Sequence, residues 1–321
     1  MSDLVTANGH LMYTSGGHLS NVCPVSIASG FLFYGQDLSS LLKRTGGFSV
    51  PTNSWLALSN AYSFARRYTA SFAIDQFVYG LGGDGGAFLT NSSVVYDTTT
   101  DVWSNNGGMG ITAHMNMAGF RLNGDGYAMT GARNYAFLGS SDNQRWTLLS
   151  GVWDSRTAVP SPLRGACAHF GISDEAFIVG GRGQVPFPFF STFDDVDRYT
   201  EGSNSWSSRT SFPAGTTVLQ PGIALNSRGY VFGGGYLGTA TKTTYEFIPG
   251  TNSWNTLDDG PDPARNSGAV FSYLNKGYVT GGRAGFGGIY LADNYEYDPD
   301  IWTAKTDVPI GLGSHSARSL E

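Results

Sequence analysis

Along the chain, hydrophobic residues come in short runs that close on glycine, and polar turns separate one run from the next. The clearest runs are "FLFYG", "FVYGLGG", "YAMTG", "FIVGG", "YVFGGG" and "YVTGG". Runs of this length, bounded by Gly, Asn, Asp and Pro, predict β-strands joined by tight turns. No long window carries the apolar stripe of an amphipathic helix. Within 216–257 four strands are predicted in succession: "TTVLQPGIAL", "GYVFGG", "TKTTYEFIP" and "SWNTL". The "GTNS" between the last two, like "TTTD" earlier in the chain, supplies side-chain acceptors and tolerance of positive φ.

The pattern then repeats. A tryptophan follows such a turn at Trp55, Trp103, Trp153, Trp206, Trp254 and Trp302, at intervals of 48, 50, 53, 48 and 48 residues. In five copies an aromatic stands 7 residues ahead of it: Phe48, Tyr96, Trp146, Tyr199 and Phe247. The sixth copy, "YEYDPDIW", has Tyr295 at that offset and Tyr297 at a shorter one. A period of this size marks a solenoid or a propeller. About four strands per unit is what a propeller blade requires.

An apolar run closing on Gly-Gly, then an aromatic, then Trp, on this period, resembles the Kelch repeat. The resemblance covers about residues 22–310; in the third copy "TGA" (Thr130–Ala132) replaces Gly-Gly. It implies an all-β chain folded as a six-bladed Kelch-like β-propeller, with four antiparallel strands per blade and one domain over 1–321. Residues 22–310 would form the six repeats, 1–21 an N-terminal arm or ring-closing strand, and 311–321 a ring-closing tail. "HLMYTSGG" near the start resembles a second-strand fragment. At least one terminus is expected to complete a blade, because closure removes exposed strand edges. The resemblance also implies that the Gly pair ends the second strand and that the aromatics and Trp pack between blades.

Charge limits the partners. The net charge is −6 with no basic run, so binding nucleic acid by phosphate neutralisation is not expected. No apolar stretch approaches 18 residues, so no membrane span is expected. The N-terminus shows no basic region followed by an apolar core, so no signal peptide is expected and synthesis is assigned to the cytoplasm. The two cysteines, Cys23 and Cys167, fall on the inner strands of the first and fourth copies and are expected to be free thiols.

Catalytic chemistry is thinly represented. The five histidines are scattered, and "CAH" (Cys167–His169) offers two side chains on one strand face where a metal site needs three or four ligands. "GGDGG" (Gly82–Gly86) lacks the Lys and helix start of a phosphate loop and reads as a blade turn. "FDDVD" (Phe193–Asp197) and "LDDGPD" (Leu257–Asp262) do not match a calcium loop and read as solvated turns. No cofactor or metal is expected. Nothing in the histidine spacing supports a copper radical oxidase similar to galactose oxidase.

One constellation follows from the repeat frame. Eleven residues past each repeat Trp stand Arg66, His114, Arg164, Thr217, Arg265 and Gly313. Arginines in alternate copies would place three guanidiniums around one mouth of the ring. The resemblance implies that arginines of this turn contact acidic ligands, and a guanidinium fork suits a carboxylate. The competing reading is that each Arg caps carbonyls of its own turn.

The expectation is a non-enzymatic binding or structural module for a protein partner or an acidic, carboxylated ligand. With only 14% charged residues and a Gly/Ser/Thr/Asn-rich surface, it is read as a surface or tail component of a phage or virus particle that attaches to a neighbouring subunit or a surface carbohydrate. The alternatives are a cytosolic protein-interaction module and a sugar mutarotase-like enzyme, since fold does not fix function.

Overall fold

The computed structural model describes residues 4–7, 10–15, 18–20, 30–35, 44–49, 52–57, 66–85, 88–134, 138–184, 190–215, 218, 221–236, 239–284, 289–308 and 316–319. The period of the sequence becomes a series of four-stranded antiparallel sheets. One sheet runs, from its inner to its outer edge, through Ala70–Ile74, Phe77–Leu81, Ser92–Asp97 and Val102–Gly108. Sheets with the same order follow within 118–155, 168–209, 222–259 and 269–305. A further sheet takes Gly30–Gly35, Arg44–Ser49 and Ser54–Ala57, and its inner edge is the last described strand, Ser316–Ser319. That strand pairs Ser316 with Tyr34 and lies beside the inner strands Ala70–Ile74 and Ala269–Tyr273. The arrangement is a β-propeller. The N-terminal "HLMYTSGG" does not join this sheet: His10–Ser15 pairs with Leu4–Ala7 and His18–Ser20 in a separate three-stranded sheet.

Second strands such as Glu175–Val179 are buried on both faces because each sheet is covered by its two neighbours. The inner strands carry a bulky residue at one equivalent position: Phe72, Phe120, Phe170, Ile223 and Phe271, all buried. Opposite Phe72, Phe170 and Ile223 the next sheet provides glycine, while opposite Phe120 the equivalent position is Ala176. A Cβ on Gly126 would stand 2.1 Å from the Phe72 ring, and one on Gly229 would stand 2.1 Å from the Phe170 ring. A bulky side chain set into a glycine notch therefore locks three of these junctions, and close packing leaves no space for a methyl group there.

The Gly-Gly pairs serve the backbone. In Gly180–Gly181 φ is +60° and +100°, and in Gly281–Gly282 it is +58° and +101°. Thr130 and Gly131 of the "TGA" copy adopt +59° and +106°, so the third copy keeps the same turn with Thr in the left-handed position. Its second glycine is retained for space: a Cβ on Gly131 would meet the Met117 side chain at 2.6 Å.

The aromatic and the Trp of each copy are cross-strand partners, as Tyr199↔Trp206 and Phe247↔Trp254 show. In the last copy the partner of Trp302 is Tyr297, not Tyr295. The turn there is shorter, and Tyr297 is the buried ring while Tyr295 lies against the Arg265 guanidinium, 5.3 Å from it.

The polar turn before the Trp has a separate duty. In "TNSW" and "SNSW" the Asn takes a left-handed backbone, with φ of +47° at Asn53, +48° at Asn204 and +50° at Asn252. Its side chain reaches the preceding sheet. Asn204 Oδ1 accepts the Thr157 N–H at 2.9 Å while the Trp206 indole donates to the Thr157 carbonyl at 2.9 Å. Asn252 and Trp254 hold Thr210 in the same way, at 3.1 and 3.0 Å. Asn53 and Trp55 hold Thr306, at 2.9 and 2.7 Å, which ties the first repeat to the last. The motif is thus a two-point clasp between neighbouring sheets.

Candidate functional site

The residues eleven positions past the repeat Trp lie where the chain turns back into an inner strand. In every described copy they are buried: Arg66 is 6% exposed, His114 0%, Arg164 0% and Arg265 5%. Thr217 and Gly313 lie outside the described residues. Arg66 donates to the Ser92 carbonyl at 3.2 Å and to Ser92 Oγ at 2.7 Å. Arg265 grips both oxygens of Asp293, at 2.6 and 2.7 Å, and the Gly281 carbonyl at 3.1 Å. Arg164 pairs with the buried Asp197 at 2.5 Å and donates to the Pro162 carbonyl at 3.3 Å. His114 sits with Nε2 3.1 Å from Asp142 Oδ2 and Nδ1 2.5 Å from the Thr112 carbonyl.

These contacts correct the expected open cluster at the ring mouth. A desolvated guanidinium needs acceptors around it, and here the sheet's own strands supply them. Each basic group ties the entry to its inner strand onto the end of its third strand, leaving no open fork for a ligand. The same geometry corrects "FDDVD": Asp197 is not a solvated turn residue but the buried counter-charge of Arg164. The imidazole of His114 beside Asp142 holds that carboxyl down, at about 2, with the Ser140 hydroxyl assisting against burial.

"CAH" also separates. Cys167 precedes its strand and packs as a free thiol into the core between sheets, near Met129 and Val159. Burial pushes that thiol up to about 11. His169, two residues on, faces the axis of the ring with its ring edge-on to Phe120 at 5.7 Å. Among the described residues no group of three His, Cys, Asp or Glu is arranged to hold a metal ion. No helix among them is long and apolar enough to cross a membrane.

Among the described residues, two regions stand out as open to a ligand. The first is a central cavity of about 400 Å³, bounded by the inner strands of five sheets and lined by Asp75, Arg121, His169, Ser173 and Ser272 among others. Sequence reasoning passed over Arg121. Aligning the inner strands would have found it, since it alone among its equivalents is a long cation. The second lies where second strands hand over to third strands. There Phe88 is 76% exposed, Leu138 45% and Ile289 74%. The three are equivalent: the carbonyl of each accepts a loop-closing N–H, from Gly85, Arg133 and Ala284 at 3.1, 2.9 and 3.1 Å.

No family model matches the sequence. Among curated proteins, Kelch-like protein 25 of Xenopus tropicalis is 26% identical over 261 residues, which make up 77% of this chain and 42% of that protein. The chain therefore spans well under half the length of that relative. Among solved structures, YjhT superposes with a TM-score of 0.72 at 14% identity, over 89% of this chain and 99% of that one, a likeness of fold. The four-stranded antiparallel sheets and the likeness to YjhT make the fold a β-propeller, and the period of the Gly-Gly and Trp positions is similar to that of the Kelch-like relative.

Proposed function

We propose that this Kelch-repeat propeller is a binding module of six blades that engages a protein partner through the face carrying the loops between second and third strands. The observation that supports this reading is the trio Phe88, Leu138 and Ile289, exposed at one equivalent position in three repeats. In a propeller, connections of one type open on one face, so the three side chains belong to a single surface. Exposed apolar groups that recur on one face mark an interaction surface, and large apolar anchors carry most of the energy of such contacts. The buried Arg66, His114 and Arg265, tied to Ser92, Asp142 and Asp293, give these loops a rigid base on which to present the anchors.

The test is affinity capture from the source lysate with the wild type and with Phe88→Ser/Leu138→Ser/Ile289→Ser side by side, with cross-links mapped by mass spectrometry. The expected result is a partner held by the wild type, cross-linked near these loops and lost from the triple variant. A partner retained equally by both refutes the assignment of this face. The low share of charged residues, 14%, favours a setting on the outside of a phage or virus particle, where the partner would be a neighbouring subunit. Proteomics of purified particles decides that point by the presence or absence of this chain.

A further inference from the structure

We propose that the central channel is a second, separate binding site that takes a small monocarboxylate, anchored by Arg121 with His169 beside it. The inner strands are in equivalent register, so their channel-facing positions can be compared directly. Arg121 pairs with Gly126, one step from the hairpin, and its equivalents are Ala73, Gly171, Ala224 and Ser272. Among the described side chains, four small ones keep that tier of the channel open, and one guanidinium projects into it. One tier away, His169 pairs with Ile178, and its equivalents are Ser71, Gly119, Gly222 and Val270. The two basic side chains therefore come from adjacent sheets, and both line the same cavity of about 400 Å³.

Arg121 differs from the four buried basic residues described above. It is exposed and makes no ion pair among the described residues. Asp75 lines the same cavity but no ion pair joins the two. A guanidinium in a concave site attracts an anion and offers it two parallel donors. One such cation offset by one nearby carboxylate matches a single negative charge better than a polyanion. The hydroxyls of Ser173 and Ser272 and the walls of Ala73, Ala224 and Val270 would contact the uncharged remainder. The volume falls within the range of small-molecule sites.

The experiment is calorimetric or saturation-transfer titration of the wild type with lactate, using lactamide as the neutral counterpart and inorganic phosphate as the other anion. Lactate is expected to bind, lactamide and phosphate to bind more weakly. Arg121→Gln should weaken lactate by about ten-fold or more, the scale of a charge-assisted contact. Arg121→Lys should retain part of the affinity. Because the side chain is exposed, both variants should melt with the wild type, which shows that the fold is intact. Absence of lactate binding, equal binding by Arg121→Gln, or a preference for lactamide or phosphate each overturns the assignment. The outcome is independent of the face carrying Phe88.

Discussion

Replacing Asn53, Asn204 and Asn252 together by glycine tests the clasp that the "NSW" turn makes across sheets. Glycine keeps the left-handed backbone that all three positions require, so the change removes the side-chain acceptor without adding strain at φ. Each asparagine accepts one backbone N–H of the neighbouring sheet, at 2.9, 2.9 and 3.1 Å. These bonds lie at the surface, where water partly replaces the lost acceptor, so each contributes about 0.5–1 kcal/mol, the lower half of the usual range. The three sites lie in different sheets and share no partner, so their losses add to about 1.5–3 kcal/mol, with about 0.5–1 kcal/mol more at Asn204, whose Oδ1 also accepts the Tyr199 hydroxyl at 2.8 Å. Aspartate offers the control, because its carboxylate still presents an acceptor to the same N–H. Equilibrium urea unfolding followed by tryptophan emission reads both triple variants. The Gly variant is expected to lose stability and the Asp variant to keep most of it. A Gly variant as stable as the wild type, or an Asp variant that falls equally far, refutes the clasp.

Four further outcomes are expected. Arg164→Ala strands the buried carboxylate of Asp197 and should cost about 3–5 kcal/mol in thermal or urea unfolding; a change under 1 kcal/mol would show the pair to be dispensable. Asp142 titrates at about 2 in the fold, below its ordinary value, so its contribution of about 2 kcal/mol is complete above pH ~4 and lost as the pH falls towards 2. Asp142→Asn should remove that component of the acid-unfolding profile, and an unchanged profile would contradict it. Cys167, buried with its thiol raised to about 11, should resist alkylation at neutral pH in the native protein and react once the chain is unfolded. Tyr199→Ala should destabilise by about 3–5 kcal/mol, because the ring is buried between sheets and its hydroxyl donates to Asn204 at 2.8 Å.

The sheets were legible because their marks are local and periodic. A run that ends in Gly-Gly, an aromatic and a Trp set a fixed distance apart encode strand, turn and cross-strand partner within a single repeat. Tyr297 was harder to choose over Tyr295, since the offset depends on the length of one turn. Thr130 replaces the first glycine in the third copy, yet the surrounding turn holds it in the left-handed backbone all the same, while Gly131 supplies the space.

The candidate site divides along the same line. The sequence by itself determined which residues occupy equivalent positions: Arg66, His114, Arg164 and Arg265 stand at one place in the repeat, and so do Asn53, Asn204 and Asn252. Only the tertiary structure decided where those side chains point. A guanidinium at the entry to an inner strand could face the ring mouth or its own sheet. Asp293, Asp197 and the Ser92 backbone and hydroxyl, all distant in sequence, turn it inward by offering acceptors in a desolvated place. The opposite holds for Arg121, which lies in no motif. It faces the channel because period-two alternation along the inner strand buries Phe120 and Leu122 between sheets and leaves the residue between them on the axis.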